Sequence, residues 1–358
     1  MRLVITGGGT GGHLFPGIAL AEGMLQRFPG GKVLFIGTDR HMDNQALRDK
    51  PFTVVALASR PLKGKSLLGQ LGALLQVPVS IWRAMRLLRE FRPAVVFGVG
   101  GYVTGPVLVA ARLLGIRTAI HEQNSIPGLA NRMLGRIVDR VFVSLPGSER
   151  FFRPAKVRLS GNPVRRELLA GAARETLPRE RLTILILGGS QGARAINRLM
   201  VEAVGQLAEK NRIQIIHQTG IHDAEWVQAG YNAAAVAARV EPFISDMAAV
   251  YGAADLIVSR AGATTLAEIT VFGRPAILIP YPYAADDHQR YNARYLVEQG
   301  AALMADEAEL DGTKLAAMLA ELLADAAKRR QMAERAKALG RPEATETILN
   351  ECLALAGA

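Results

Sequence analysis

Four loops of this 358-residue sequence carry residue types suited to gripping an anion. They are Gly7-Gly8-Gly9-Thr10-Gly11-Gly12-His13, Gly98-Val99-Gly100-Gly101-Tyr102-Val103-Thr104-Gly105-Pro106, Gly188-Gly189-Ser190-Gln191-Gly192-Ala193 and Ser259-Arg260-Ala261-Gly262-Ala263-Thr264-Thr265. Glycine permits positive φ and close backbone approach, and a helix N-terminus presents unpaired N–H groups. The first loop also fits a dinucleotide fingerprint through Gly7, Gly9 and Gly12, with Asp39 standing where a ribose-binding acid would sit. For any one loop, tight packing of a helix on a sheet is an adequate explanation. Four loops spread over two halves of the chain favour two facing nucleotide-type folds and a two-substrate cleft. A hydride-transfer enzyme normally needs one such fold and a separate substrate domain.

His13 closes the first loop, just ahead of a helix predicted from about residue 15. The positive end of the helix dipole disfavours imidazolium there, which suits a general base. Helix capping or acceptor orientation is its other reading. Glu122, next to His121, is the rival base. His222-Asp223 and Asp286-Asp287-His288 come nearest to metal-binding clusters, and both read better as polar loop groups; neither a metal nor a cofactor is expected.

Elements that could position these loops follow from the hydrophobic pattern. Short β-branched runs at 3–6, 33–36, 53–57, 94–99, 118–121 and 140–143 read as buried parallel strands separated by helices. A second series at 182–187, 213–217, 237–240, 256–258 and 276–279 repeats the theme. Ser160-Gly161-Asn162-Pro163-Val164-Arg165 is a hinge candidate between the halves. From residue 311 the chain reads as helical, with a break near 340–342. The expected fold is α/β, with two doubly wound domains.

Hydrophobic residues make up 49% of the chain and charged residues 21%, which fits a folded protein rather than a disordered one. Lys and Arg number 43 against 32 Asp and Glu, a net +11 that favours an anionic partner. The single cysteine, Cys352, excludes an internal disulfide framework. No apolar run reaches the roughly 18 residues of a spanning helix, so a cytoplasmic, soluble or peripheral protein is expected.

The loops, together with His121-Glu122-Gln123-Asn124, Gly161-Asn162-Pro163-Val164-Arg165 and Asp287-His288-Gln289, occur in an order that resembles a known family. It is the family of bacterial N-acetylglucosaminyltransferases acting on lipid-linked muramoyl-pentapeptide in peptidoglycan synthesis, and the likeness runs from residue 1 to about residue 300. The resemblance implies a GT-B fold: an N-terminal acceptor and membrane domain at 1–162, joined by the last helix at 341–358, and a UDP-GlcNAc domain at 163–340. It implies inverting, metal-independent transfer from UDP-GlcNAc to the 4-hydroxyl of MurNAc in lipid I, yielding lipid II. Donor contacts are implied for Thr10, Gly11, Gly12, Asn124, Arg165, Ser190, Ile244, Ala263, Thr264, Thr265, Leu266, Ala267, Glu268 and Gln289. Among them, Glu268 would accept from both ribose hydroxyls, backbone near Ile244 would read uracil, and Asn124 and Gln289 would hold the GlcNAc. His288 competes with Gln289 for that contact. Gly101, Tyr102 and Thr104 would bind the acceptor pyrophosphate. His13 and Glu122 both stay candidates for the base.

Such an acceptor calls for docking on the anionic cytoplasmic face of the cell membrane, and residues 60–92 suit it. Arg60, Lys63, Lys65, Arg83, Arg86, Arg89 and Arg92 stand there against Glu90 alone, with Trp82 among them. Leu67, Leu68, Leu71, Leu74 and Leu75 could add an apolar anchor. Ile81, Ala84, Met85, Leu88 and Phe91 share a helical face, part of which must pack on the sheet. A cell-wall synthesis complex is a further partner the resemblance admits. Competing readings are a UDP-sugar transferase with a soluble acceptor, a UDP-GlcNAc epimerase, and an NAD-dependent oxidoreductase. Nucleic acid is disfavoured because the basic residues lack interleaved aromatics or a recognised binding module.

Overall fold

The structure, a computed structural model, describes residues 1–38, 46–48, 50–57, 67–172, 180–189 and 192–357, with the backbone alone for 67–75. Asp39, Ser190, Gln191 and the basic residues Arg60, Lys63 and Lys65 lie outside the described residues, as do the side chains of Leu67, Leu68, Leu71, Leu74 and Leu75. The chain divides into two compact units, Met1–Arg166 with Pro342–Ala358, and Glu167–Arg341.

The first unit is built on β1 (Arg2–Gly7), β2 (Lys32–Gly37), β3 (Thr53–Ala56), β4 (Val95–Gly100), β5 (Arg117–Glu122), β6 (Arg140–Val143) and β7 (Val157–Leu159). Its sheet runs β3-β2-β1-β4-β5-β6-β7, with every neighbouring pair parallel. Helices cover both faces, so the inner strands read as continuous apolar runs rather than alternating ones. α1 (Gly11–Arg27) lies on one face; α2 (Leu67–Phe91), α3 (Thr104–Leu113) and α4 (Leu129–Ile137) pack on the other.

In the second unit β8 (Leu182–Leu187), β9 (Ile213–Gln218), β10 (Ala237–Glu241), β11 (Leu256–Ser259), β12 (Ala276–Leu278) and β13 (Ala302–Met304) form another parallel sheet, ordered β10-β9-β8-β11-β12-β13. Its helices are α5 (Arg166–Ala172), α6 (Arg194–Gln206), α7 (Ala224–Ala233), α8 (Met247–Ala253), α9 (Ala263–Phe272), α10 (His288–Glu298), α11 (Gly312–Ala324) and α12 (Ala326–Leu339). The last helix, α13 (Ala344–Ala356), returns to the first unit. There Ile348, Leu349 and Cys352 join the core against α1, and Arg27 reaches Glu346 (3.0 Å) and Asn350 (2.6 Å).

Both sheets reverse their strand order beside their first strand, at β1/β4 and at β8/β11. In open α/β sheets the ligand crevice lies outside the carboxyl ends of strands at such a reversal. All four glycine loops leave strands at these two points.

Three expectations need correction. α1 begins at Gly11, not near residue 15, because the Thr10 carbonyl already accepts from His13 N (3.1 Å) and Leu14 N (3.0 Å). His13 therefore sits inside the first helical turn. β7 and β13 were not anticipated; each has three residues, too few for a pattern, and each closes a sheet edge. The helical stretch after residue 311 breaks at Asp325 as well as near 340, since the Asp325 carboxylate caps α12 by accepting from Lys328 N (2.8 Å).

Candidate active site

In the first unit, the loops after β1 and β4 touch through their backbones. Gly101 adopts φ +90°, and a Cβ there would meet the Gly8 carbonyl oxygen at 2.5 Å. Gly100, at φ +108°, seats the His13 ring: a Cβ would stand 2.7 Å from its Nδ1. Only glycine meets both demands. The guanidinium of Arg165 lies 4.7 Å from the centroid of the Phe15 ring, which ties it to the opening of α1. Tyr102 is exposed, whereas Thr104 is buried and its hydroxyl faces the carbonyls of Gly100 (2.9 Å) and Thr6 (3.2 Å). That hydroxyl braces the second loop from within.

Alternation along β5 and the residue after it sends His121 and Gln123 one way and Glu122 the other. Gln123 Oε1 lies 3.1 Å from His13 Nδ1. Glu122, buried, accepts at Oε1 from Asn124 N (2.9 Å) and Asn124 Nδ2 (3.3 Å), and at Oε2 from Gly128 N (3.3 Å) and Asn131 Nδ2 (2.8 Å). A carboxylate has about four lone-pair sites, and these donors take them all. Burial pushes the Glu122 carboxyl above its ordinary range while the N–H donors pull it back.

Burial also lowers two imidazoles, His121 to about 4 and His217 to about 3, from an ordinary 6.5. His217 is held by Tyr231 Oη (2.8 Å) and Asn197 Oδ1 (3.0 Å). As pH falls through 6.5 the unfolded chain takes up two protons that the native protein refuses, so stability is full above that pH and declines below it. Glu122, shifted upward, acts in the opposite sense. At about 1.4 kcal/mol per pH unit per proton, the two imidazoles together should cost roughly 3 kcal/mol between pH 6.5 and pH 5, less the contribution of Glu122. Urea midpoints measured across that range should fall; constant midpoints would contradict the burial of neutral imidazoles.

In the second unit, α9 starts directly after the β11 loop, aiming its first amides outward from the strand ends. Its N-cap is Gly262, with no side-chain cap, as for α1 after Thr10 and α6 after Ala193. Helices α11 and α12, by contrast, are capped by Asp311 and Asp325. Glu268 is buried on α9, and one of its oxygens accepts from Tyr251 Oη (2.8 Å). Leu266 is buried, which leaves the helix backbone as its only group toward a ligand. The Ile244 N–H donates to Gln218 Oε1 (3.0 Å), an amide that a uracil would have to displace. Gln289 Oε1 accepts from Tyr281 N (3.0 Å), and His288 Nδ1 faces the Ala285 carbonyl (2.8 Å). Asp286 and Asp287 precede them at φ +52°, an uncommon conformation for residues other than glycine.

Sequence reasoning passed over three side chains. Tyr251 steadies Glu268. Arg260 Nη1 donates to the carbonyls of Ile279 (3.1 Å) and Pro280 (3.2 Å), bracing the turn after β12. Gln123 stood in a quoted motif without a role. No local pattern marks Tyr251 or Arg260, whereas the alternation His121-x-Gln123 was there to find. Among the described residues no group of three or more His, Cys, Asp and Glu could hold a metal ion. Asp223 is bonded instead to Asn197 (2.9 Å) and Asp287 to Arg290 (2.9 Å).

On α2 the expected apolar face packs inward: Ala84 and Leu88 are fully buried, and Ile81, Met85 and Phe91 lie against them. Trp82 is 62% exposed, and Arg83, Arg86, Arg89 and Arg92 face outward. On the same helical layer Leu113 and the i, i+4, i+8 stripe Leu129, Met133 and Ile137 are also exposed. Among the described residues no helix is long and apolar enough to cross a membrane.

Two family models match the chain: the glycosyltransferase family 28 N-terminal domain over residues 3–143 and its C-terminal domain over residues 183–348. The UDP-N-acetylglucosamine–N-acetylmuramyl-(pentapeptide) pyrophosphoryl-undecaprenol N-acetylglucosamine transferase of Desulfotalea psychrophila is 49% identical over 353 residues, covering 98% of this chain and 96% of that protein. The crystal structure of Acinetobacter baumannii MurG matches with a TM-score of 0.80 at 32% identity over 99% of both chains. A UDP-GlcNAc 2-epimerase of Neisseria meningitidis, bound to UDP-GlcNAc, matches with a TM-score of 0.70 over 99% of this chain and 100% of its own. At 14% identity that last likeness is one of fold alone. Two parallel Rossmann-like sheets in this company make the architecture GT-B. The chain belongs to glycosyltransferase family 28 and, within it, to the UDP-N-acetylglucosamine–N-acetylmuramyl-(pentapeptide) pyrophosphoryl-undecaprenol N-acetylglucosamine transferases.

Proposed function

We propose that this enzyme moves GlcNAc from UDP-GlcNAc to the 4-hydroxyl of MurNAc in lipid I, with inversion, producing lipid II and UDP for peptidoglycan synthesis. The near-full-length likeness to the Desulfotalea transferase carries the reading. It is supported by the four glycine loops, which leave the strands flanking the strand-order reversals of the two sheets.

The acceptor oxygen attacks the anomeric carbon while its proton passes to His13 and the C1–O bond breaks toward UDP. His13 suits this role better than Glu122, whose lone pairs are engaged by N–H groups of the 124–131 segment. Glu122 instead anchors that loop and so places Asn124 beside the GlcNAc. Each helix N-terminus stabilises an anion by about 0.3–1 kcal/mol, so the diphosphate needs several donors at once. They are the amides of Thr10, Gly11 and Gly12, those of Ala263, Thr264, Thr265, Leu266 and Ala267, Ser190 of the third loop, and Arg165. Glu268 accepts from the ribose hydroxyls, Ile244 backbone reads uracil, and Gln289 holds the sugar. Gly101 and Tyr102 bind the lipid pyrophosphate.

The enzyme docks on the anionic cytoplasmic leaflet through Trp82 and the basic edge of α2. The exposed apolar residues of α3 and α4 lie on the same layer. Basic residues near such a surface contribute about 1 kcal/mol each. Replacing Arg83, Arg86 and Arg89 together by Ala should therefore weaken partitioning onto vesicles containing anionic lipid about 10²-fold, without changing transfer to a soluble acceptor analogue. Unchanged partitioning would contradict this surface.

Incubation with UDP-GlcNAc, with and without lipid I, tests the function. UDP should accumulate only with the acceptor and in step with lipid II; acceptor-independent conversion of the sugar would point to an epimerase.

A further inference from the structure

We propose that Gln123 is a positioning residue that fixes the tautomer of His13, holding the ring proton on Nδ1 and the lone pair on Nε2. This rests on the reading of His13 as the base, and it names the group that sets the base's protonation state.

Some groups in this row cannot change role. A backbone carbonyl only accepts. The Val99 carbonyl lies 2.8 Å from one terminal atom of the Gln123 amide, which must therefore be the NH₂ group. Turning the amide over would press two oxygens together at that distance. With Nε2 on Val99, Oε1 is the atom 3.1 Å from His13 Nδ1. An amide oxygen only accepts as well, so Nδ1 must carry the proton. The lone pair of the neutral ring is then on Nε2.

An independent check comes from the other end of the row. The second hydrogen of Gln123 Nε2 points to His121 Nδ1 at 3.1 Å, which makes that nitrogen an acceptor. The His121 proton then sits on Nε2, where the Gly161 carbonyl (3.0 Å) accepts it, and Ser144 Oγ is also within 3.0 Å. Reversing the amide would set its oxygen against the Val99 carbonyl and, through a switched His121 ring, a lone pair against the Gly161 carbonyl. Two immovable carbonyls, Val99 and Gly161, thus determine three side-chain assignments between them: the Gln123 amide and the His13 and His121 rings. His121 and Gln123 are fully buried, so no bulk water can relay an alternative arrangement. Burial keeps His121 neutral, at about 4, as the row requires. Gly100 completes the seat, since any Cβ there would push the His13 ring off the amide.

The test combines spectroscopy with kinetics on the full-length enzyme. Nitrogen-15 NMR of histidine-labelled protein at pH 7.5, with the His13 signal assigned by its loss in His13→Ala, should show the Nδ1–H tautomer. An Nε2–H ring in the wild type would overturn the proposal. Gln123→Leu should abolish that preference and lower kcat about 10²-fold, with KM for UDP-GlcNAc within about twofold; an unchanged tautomer and kcat would overturn it. Gln123→Glu, protonated on the oxygen that faces the Val99 carbonyl, can still accept from Nδ1–H, so it should restore the tautomer and most of the turnover even if the Leu variant folds poorly. Loss of the Nδ1–H tautomer in a folded Glu variant would also count against the proposal. If His13→Ala proves nearly fully active, the base assignment fails while the tautomer measurement stands, so the two failures are separable.

Discussion

His13→Ala should lower kcat for GlcNAc transfer by about 10²–10⁴-fold, the range by which a positioned general base contributes. UDP-GlcNAc affinity should stay within a few-fold of wild type, because the ring is assigned to the acceptor hydroxyl and not to the donor. The fold should survive: His13 lies in the first turn of α1, where the Thr10 carbonyl still accepts from the backbone of residues 13 and 14. Pre-steady-state mixing with saturating donor and acceptor, which separates chemistry from binding, is the measurement. Turnover within a few-fold of wild type would remove His13 as the base. Glu122→Gln gives the contrasting case. It halves the acceptor capacity at a carboxyl that receives four N–H bonds, so its main expected effect is on stability and on the 124–131 loop.

Glu268→Ala should weaken UDP-GlcNAc binding about 10²–10³-fold. Two hydrogen bonds to a carboxylate contribute about 1.5–3 kcal/mol each, net of their exchange with water, and the lower part of their sum corresponds to this loss. The site is prepared for that pair: Glu268 is buried on α9 and one oxygen is steadied by Tyr251. Calorimetry with UDP and 2′-deoxy-UDP distinguishes a ribose contact from general damage. Wild type should prefer UDP, and the variant should bind the two nearly equally. A variant that keeps the preference would show that Glu268 serves the helix and not the nucleotide. Truncation also removes the Glu268 acceptor from the buried Tyr251 hydroxyl, so thermal unfolding is the necessary control.

Much of the fold was legible in the chain. Continuous apolar runs such as 94–99 and 182–187 announce strands buried on both faces, and glycine loops after them announce helix starts. Three-residue edge strands escaped because no periodicity can be read from Val157–Leu159 or Ala302–Met304. The start of α1 was set too late because Gly11 and Gly12 are poor helix formers, and tertiary context overrode their propensity. At the site, residue types were visible but their division of labour was not. Thr104 and Glu122 read as candidate ligand groups in the chain, which gives no hint of the hydrogen bonds each makes to its own backbone or loop. Conversely, the alternation His121-x-Gln123 shows in the chain that the two share a face, but not the Val99 carbonyl on the neighbouring strand that orients the Gln123 amide.

The claim at the centre of this account is that protein amides and a few side chains stabilise the departing UDP. Transfer of radiolabelled GlcNAc from its UDP conjugate onto a short-chain lipid I analogue, in excess chelator, addresses it most directly. Labelled lipid II should form at a rate unchanged by the chelator. No product until manganese or magnesium is added back would contradict it.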